Sequence, residues 1–377
     1  MSLRLSVARV LWLAVAAAVS PLVLTSAAQA QAAPWTVVSS PDATPGNNDL
    51  AAVATVSASD VWAVGSAENS RGNGQLLAKH WNGTSWSIVS TPAVVTGQLS
   101  GLAAISSTDV WAAGSMLLSA RGNTAQFLHW NGRKWTIVKS PATTAGIAGM
   151  AAVSGTDVWA VGSIISGLIA QTFIEHWNGK SWSIVPSPND GTGSNLLNAV
   201  TAVSANDVWA VGQFQDASNT TQTLTEHWNG TSWSIVASPS AGAEFLGAAA
   251  VSSSNVWAVG LTGDATLIQH WNGASWAVVP SPNPSPAGAA GSLLFGVAVV
   301  SANDLWAVGE SRNASGIPST LIEQWNGTSW SIVASPSPGS AASLRGAAAD
   351  SASGQAWAVG NFRAPSGADQ TLIEFNP

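Results

Sequence analysis

The chain has no cysteine and no tyrosine among its 377 residues, and only 8% of them are charged. The first absence excludes disulfides and lipid attachment at an N-terminal cysteine, so packing has to supply the stability. The second removes any phenolic nucleophile or radical. An average soluble domain is about a quarter charged, so here Ser, Thr, Asn, Gln and Gly must cover most of the surface. Twelve Lys and Arg against 19 Asp and Glu give a net charge of −7. No basic cluster occurs, which argues against a nucleic-acid partner. Long apolar runs are scarce as well, the one exception being Val10 to Leu24, behind Arg4 and Arg9. It contains Ser20 and Pro21 and falls short of the ~20 residues a membrane span needs. Ala28-Gln29-Ala30 then offers the small residues that a signal peptidase reads. Residues 1–30 are therefore expected to be a secretory signal peptide cut near Ala30, leaving residues 31–377 as a secreted domain with no membrane span.

What the chain has in abundance is one motif. Asp60 to Gly65 reads Asp-Val-Trp-Ala-Val-Gly and recurs around Trp111, Trp159, Trp209, Trp257, Trp306 and Trp357, at spacings of 49, 48, 50, 48, 49 and 51 residues. A period near 50 with strand-like content fits a β-propeller blade, a four-stranded sheet that cannot bury both faces without neighbours. The fourth repeat shows the pattern: Leu197 to Ser204, Val208 to Gly212, Thr223 to Trp228 and Trp233 to Val236 are apolar and β-branched segments, labelled a to d from the axis outward. Asn229-Gly230 separates strands c and d, where a tight turn needs positive φ. Strand a is rich in Ala and Gly, as in Gly101 to Ile105, which suits a crowded axis.

The ends of the chain predict how the ring closes. Pro34 to Pro41 matches the strand d pattern of Ser232 to Pro239 but precedes every other strand, while the last repeat stops at strand c, Thr371 to Phe375. The N-terminal strand, residues 34–40, is expected to complete blade seven and so remove both open sheet edges. The fold class is thus all-β, a seven-bladed propeller.

Val208-Trp209-Ala210-Val211-Gly212, His227-Trp228-Asn229-Gly230 and Ser232-Trp233 make the repeat resemble the kelch-type, galactose-oxidase-like propellers. Blades of that family carry a strand ending in glycine, an aromatic pair at a turn, and a strand opening on Trp. This chain has one glycine where kelch repeats usually have two. The resemblance implies a platform for recognition, since propellers host unrelated functions. Galactose oxidase chemistry itself needs tyrosines and a cysteine-linked tyrosine radical, both excluded by composition. Sialidase-type hydrolysis lacks its tyrosine nucleophile.

Residues that repeat in register are expected to be structural. The 21 tryptophans fall at fixed blade positions apart from Trp12 in the leader, which points to inter-blade packing. His80, His129, His176, His227 and His270 share one strand c position, with Gln324 in the sixth blade, so the ring holds them apart and no metal or other cofactor is expected. Asp60, Asp109, Asp157, Asp207 and Asp304 close the a–b turns, where carboxylates accept backbone hydrogen bonds. Glu175, Glu226, Glu323 and Glu374 recur in strand c. The b–c loops do vary, and with the d–a loops they share one face. Blade five has the shortest, Leu261 to Ala265, which predicts a notch. From that face Arg71, Arg121, Phe214, Arg312, Phe362 and Arg363 are the candidate ligand-binding residues. The expected function is non-catalytic binding of an extracellular glycan or protein. The alternative is an extracellular lyase or hydrolase using a few singular residues there.

Overall fold

A computed structural model describes residues 34–117, 124–141, 145–240, 242–284 and 291–377. The expected signal peptide, residues 1–30, and Arg121 lie outside the described residues. Every regular element described is a strand, and the strands form seven antiparallel sheets of four, the seven-bladed β-propeller that the repeat predicts. Blade four is built from Asn195–Ser204, Asp207–Gln215, Thr221–Trp228 and Trp233–Ile235, paired in chain order. Strands b and c run further than their apolar segments because polar residues such as Gln213 and Gln222 continue the ladder. The b–c connections shrink accordingly to tips of a few residues.

Blade seven takes its outer strand from the other end of the chain. Thr36–Val37 pairs with Asp369–Asn376 through Thr36↔Phe375 and Val37↔Glu374. In blade four the equivalent register is His227↔Ser234 and Glu226↔Ile235, so the borrowed strand sits where a local one would. Asp42 accepts from the Thr371 hydroxyl at 2.8 Å, and Lys79 of blade one donates to Thr371 and Ser40 at 2.6 and 2.8 Å. The closing segment is thereby tied to both blades that flank the seam.

The single glycine of the motif has a steric cause. In each blade strand a carries an extra residue beside the motif glycine, a β-bulge that bends its backbone across strand b. A Cβ on Gly212 would lie 2.0 Å from the Leu196 carbonyl oxygen, and one on Gly65 would lie 2.0 Å from that of Asp49. Hydrogen is the only substituent that fits. At the c–d turn the positive φ falls on glycine alone, 92° at Gly230. Asn229 contributes differently, its side-chain oxygen accepting the N–H groups of Thr231 and Ser232.

The tryptophans form a relay around the ring. Each strand b indole is 1–2% exposed, and all but Trp306, whose next blade has Phe375 in strand c, meet both the strand c and the strand d indole of the next blade. Trp159, for example, packs on Trp228 at 5.0 Å and edge-on against Trp233 at 5.4 Å. The relay continues across the seam: Trp306 meets Trp35 at 5.2 Å, and Trp357 meets Trp81 and Trp86 at 5.2 and 5.4 Å. Each indole buries ~150–250 Å², so these contacts are the main cohesion between blades.

The histidines stack on the same indoles, His227 on Trp209 at 4.4 Å, and each bonds one side chain of its own blade. Nε2 of His80, His129, His176 and His227 lies 2.8–2.9 Å from Asp60, Asp109, Asp157 and Asp207. Gln324 donates to Asp304 at 3.0 Å, and His270 faces Asn255 at 2.9 Å. The turn aspartates therefore serve a side-chain pair, which corrects their expected role as acceptors for turn backbone. Gln324 marks the substitution that costs least. His227→Gln is expected to change stability by under about 1 kcal/mol, and His227→Ala to cost about 1–3 by removing the bond to Asp207, whose oxygen would keep only the Trp209 indole N–H at 3.1 Å. Urea midpoints of the two variants check this.

Candidate functional site

The seven bulged residues of strand a are Ala51, Ser100, Ala148, Asn198, Leu246, Phe295 and Arg345. They line an axial channel of about 340 Å³ together with the two residues that follow each of them. The repeat breaks down at this position. Ser100 donates to the Ile147 carbonyl at 2.6 Å and Asn198 to that of Phe245 at 2.7 Å, each reaching the next blade. The Arg345 guanidinium lies over the Phe295 ring, 4.9 Å from its centre, a cation–π contact.

Arg345 also lines a second cavity, a cleft of about 420 Å³ between blades six and seven. Strand b of blade six, Asp304–Arg312, ends there with Glu310 and Arg312, and strand c of that blade opens on Pro318. Blade seven contributes Ser343 and Arg345 from Ala342–Ala349, Asn361 and Arg363 from Ala356–Arg363, and Asp369 from Asp369–Asn376. The b–c tips of both blades flank it, so it opens on the variable face.

Two of the cleft's arginines are already engaged. Arg312 donates to Glu310 through Nε at 2.7 Å, with Nη2 at 2.6 Å from the same oxygen. Arg363 holds both oxygens of Asp369, at 2.5 and 3.2 Å, and that carboxylate raises the arginine's pKa further. Arg345 is held more loosely, its Nε 3.9 Å from Asp49 and beyond hydrogen-bonding range. Burial pushes the Asp49 carboxyl up and Asp369 adds to this, while Arg345 pulls it down.

The sequence-selected residues separate on this geometry. Arg312 and Arg363 come together in the cleft. Arg71 sits on the exposed Asn69–Asn73 tip of blade one, beside a separate cleft that also includes Val94 and Val95. Phe214 packs against the core cluster around Trp159 and Leu197, so the side chain is partly structural. Phe362 is half-buried and pairs with Ala342 and Gln370. At blade five the following segment fills space beside the short Gly263-Asp264 turn: Ser292 donates its N–H to the Asp264 carbonyl at 3.2 Å, and Asn283 reaches the same oxygen at 3.4 Å. Blade three has an equally short turn, Gly167-Leu168, on longer strands, and presents Ile165 and Leu168 to solvent. Sequence reasoning missed Ser343, Arg345 and Asn361. All three stand at positions that vary from blade to blade: Ser343 and the bulged Arg345 in strand a, Asn361 directly after the motif glycine in strand b.

The carboxyls with the most displaced pKa values lie elsewhere. Burial pushes Glu226, Glu323 and Glu374 up to about 8, with Ser187 pulling Glu226 the other way. All three are fully buried in strand c between blades. Perturbed carboxyls often mark active sites, but these have no access to solvent and recur with the repeat. Among the described residues no three His, Asp or Glu converge as a metal site, and no helix is long and apolar enough to cross a membrane.

No family model matches the chain, and no curated protein does. Solved structures do. YCF48 bound to a D1 peptide is similar at 12% identity and TM-score 0.57, over 91% of this chain and 97% of that one. The GH74 xyloglucanase from Xanthomonas campestris matches at 14% identity and TM-score 0.59, over 90% of this chain and 55% of that one. The fucose-specific lectin from Aleuria aurantia matches at 16% identity and TM-score 0.50, over 79% and 99%. The kelch resemblance thus has no family match behind it, and the shared property is the fold: the chain is a β-propeller of seven blades.

Proposed function

We propose that the protein is a secreted, non-catalytic binding propeller that recognises an extracellular glycan through its b–c/d–a face. One observation carries this: a scaffold that repeats residue by residue loses its repetition at the channel mouth and in the adjoining cleft between blades six and seven. Recognition residues are expected on such a rigidly held variable surface. The leader-like residues 1–30 direct the search for ligands outside the cell. The fold is shared with a fucose-specific lectin and with a peptide-bound propeller, and both kinds of ligand suit the architecture. Catalysis is the weaker alternative, because Glu310 and Asp369 are each neutralised by an arginine.

A protein ligand is the second reading, favoured by Ile165 and Leu168 on the blade-three hairpin of the same face. Purified residues 31–377 applied to a glycan array are expected to bind saturably. Arg312→Ala combined with Arg363→Ala should weaken that binding at least about tenfold, about 1.4 kcal/mol. Silence on the array, with a secreted protein retained through Ile165 and Leu168, would favour the second reading.

A further inference from the structure

The cleft between blades six and seven contains polar atoms that the fold leaves without partners. Ser343 is 5% exposed, and its hydroxyl has no hydrogen-bond partner among the described residues. The same holds for the side-chain oxygen of Asn361 and for Nε of Arg345. A buried polar group without a partner costs about 1–3 kcal/mol, so these atoms bond either to water or to a ligand that replaces it.

Their chemistry narrows the ligand. Arg345 Nε donates, the Asn361 oxygen accepts, and the Ser343 hydroxyl does either. A ligand satisfying all three must present donors and acceptors at close spacing. Sugar hydroxyls do so, each donating once and accepting twice. An anion offers acceptors only and would leave the Asn361 oxygen unmet. The charges point the same way. Arg312, Arg345 and Arg363 are balanced by Glu310, Asp49 and Asp369, so no net positive field remains to attract a carboxylate or phosphate. The volume of about 420 Å³ falls within the ~300–1,000 Å³ usual for small-ligand sites.

We infer that the blade six–seven cleft is a subsite for an uncharged sugar residue, with Ser343, Asn361 and Arg345 bonding its hydroxyls. This rests on the glycan-binding reading and adds to it the place and the charge class of the ligand. Removing the Ser343 hydroxyl takes away an unpartnered group, so Ser343→Ala leaves stability unchanged or raised. Arg345→Met keeps an unbranched stem beside Phe295 and removes the donor.

The test is calorimetric titration of residues 31–377 with cellotetraose, a xyloglucan heptasaccharide and fucosyllactose, with a galacturonate oligomer as the acidic control. At least one neutral saccharide is expected to bind, and Ser343→Ala and Arg345→Met should each weaken it tenfold or more with the thermal midpoint held within about 2 °C. Neutral-sugar binding that both variants leave intact would overturn the subsite and spare the glycan-binding function. Preference for the galacturonate oligomer would overturn the uncharged-sugar assignment alone. Absence of binding to every saccharide would overturn both.

Discussion

Deletion of residues 34–41 is expected to lower the thermal midpoint of the propeller by roughly 10 °C, a loss far larger than eight exposed residues would cause. The segment carries Trp35, 3% exposed and edge-on to Trp306 at 5.2 Å. Loss of one such indole costs about 3–5 kcal/mol. It also carries Ser40, which accepts from the buried Lys79 ammonium, and the outermost strand pairing to Glu374 and Phe375. Without it strand c of blade seven becomes an open edge, so the variant should also associate at high concentration. The control replaces the Asn69–Asn73 tip of blade one with a two-residue turn, which should shift the midpoint by under about 2 °C. Equal midpoints for the two deletions would contradict ring closure by the N-terminal strand.

Stability is also expected to fall as pH rises from about 4.5 to about 8. Glu226, Glu323 and Glu374 titrate near 4.5 when unfolded and near 8 when folded. Between those values the folded state holds protons that the unfolded chain has released. Protonation therefore favours folding, fully below pH 4.5 and decreasingly up to pH 8. Lys79 acts with the opposite sign in a higher window: burial lowers it from 10.5 to about 8, so its contribution to stability rises with pH between those values. The expected midpoint at pH 5 is above that at pH 8 by on the order of 10 °C. Changing all three glutamates to glutamine should flatten the dependence. Blade five already has Gln269 at this position, its amide donating to the Pro239 carbonyl at 2.7 Å. A midpoint that stays level or rises from pH 5 to pH 8 would contradict the assignment.

The architecture was legible in the sequence because a repeat makes each rule testable seven times. The Trp62-to-Trp357 spacing gave the blade, and the orphan pattern at Trp35 gave the closure, because both depend on local strand chemistry. The aspartate–histidine pairs were only half visible. Both residue types were seen to recur, but their meeting depends on strand b and strand c lying side by side in a register that spacing alone does not specify. The cleft was less visible still. Arg312 and Arg363 stood out as loop residues, whereas Ser343 and Arg345 lie in a strand and read as core filling. A β-bulge turns Arg345 toward the channel mouth, and the sequence before the bulge looks like ordinary strand alternation. Asn361 and Ser343 face one another across that same distorted ladder. Phe214 shows the reverse case, a conspicuous loop aromatic that the fold uses partly for packing.

Hydroxyl-radical footprinting of residues 31–377, with and without a saturating ligand identified on the glycan array, addresses the binding face most directly. Protection is expected at Arg312–Pro318, Ser343–Arg345 and Arg363–Asp369, with the a–b and c–d turns unchanged. Protection confined to those turns, at Trp228 to Trp233 and its repeats, would place the ligand on the opposite face and contradict the account.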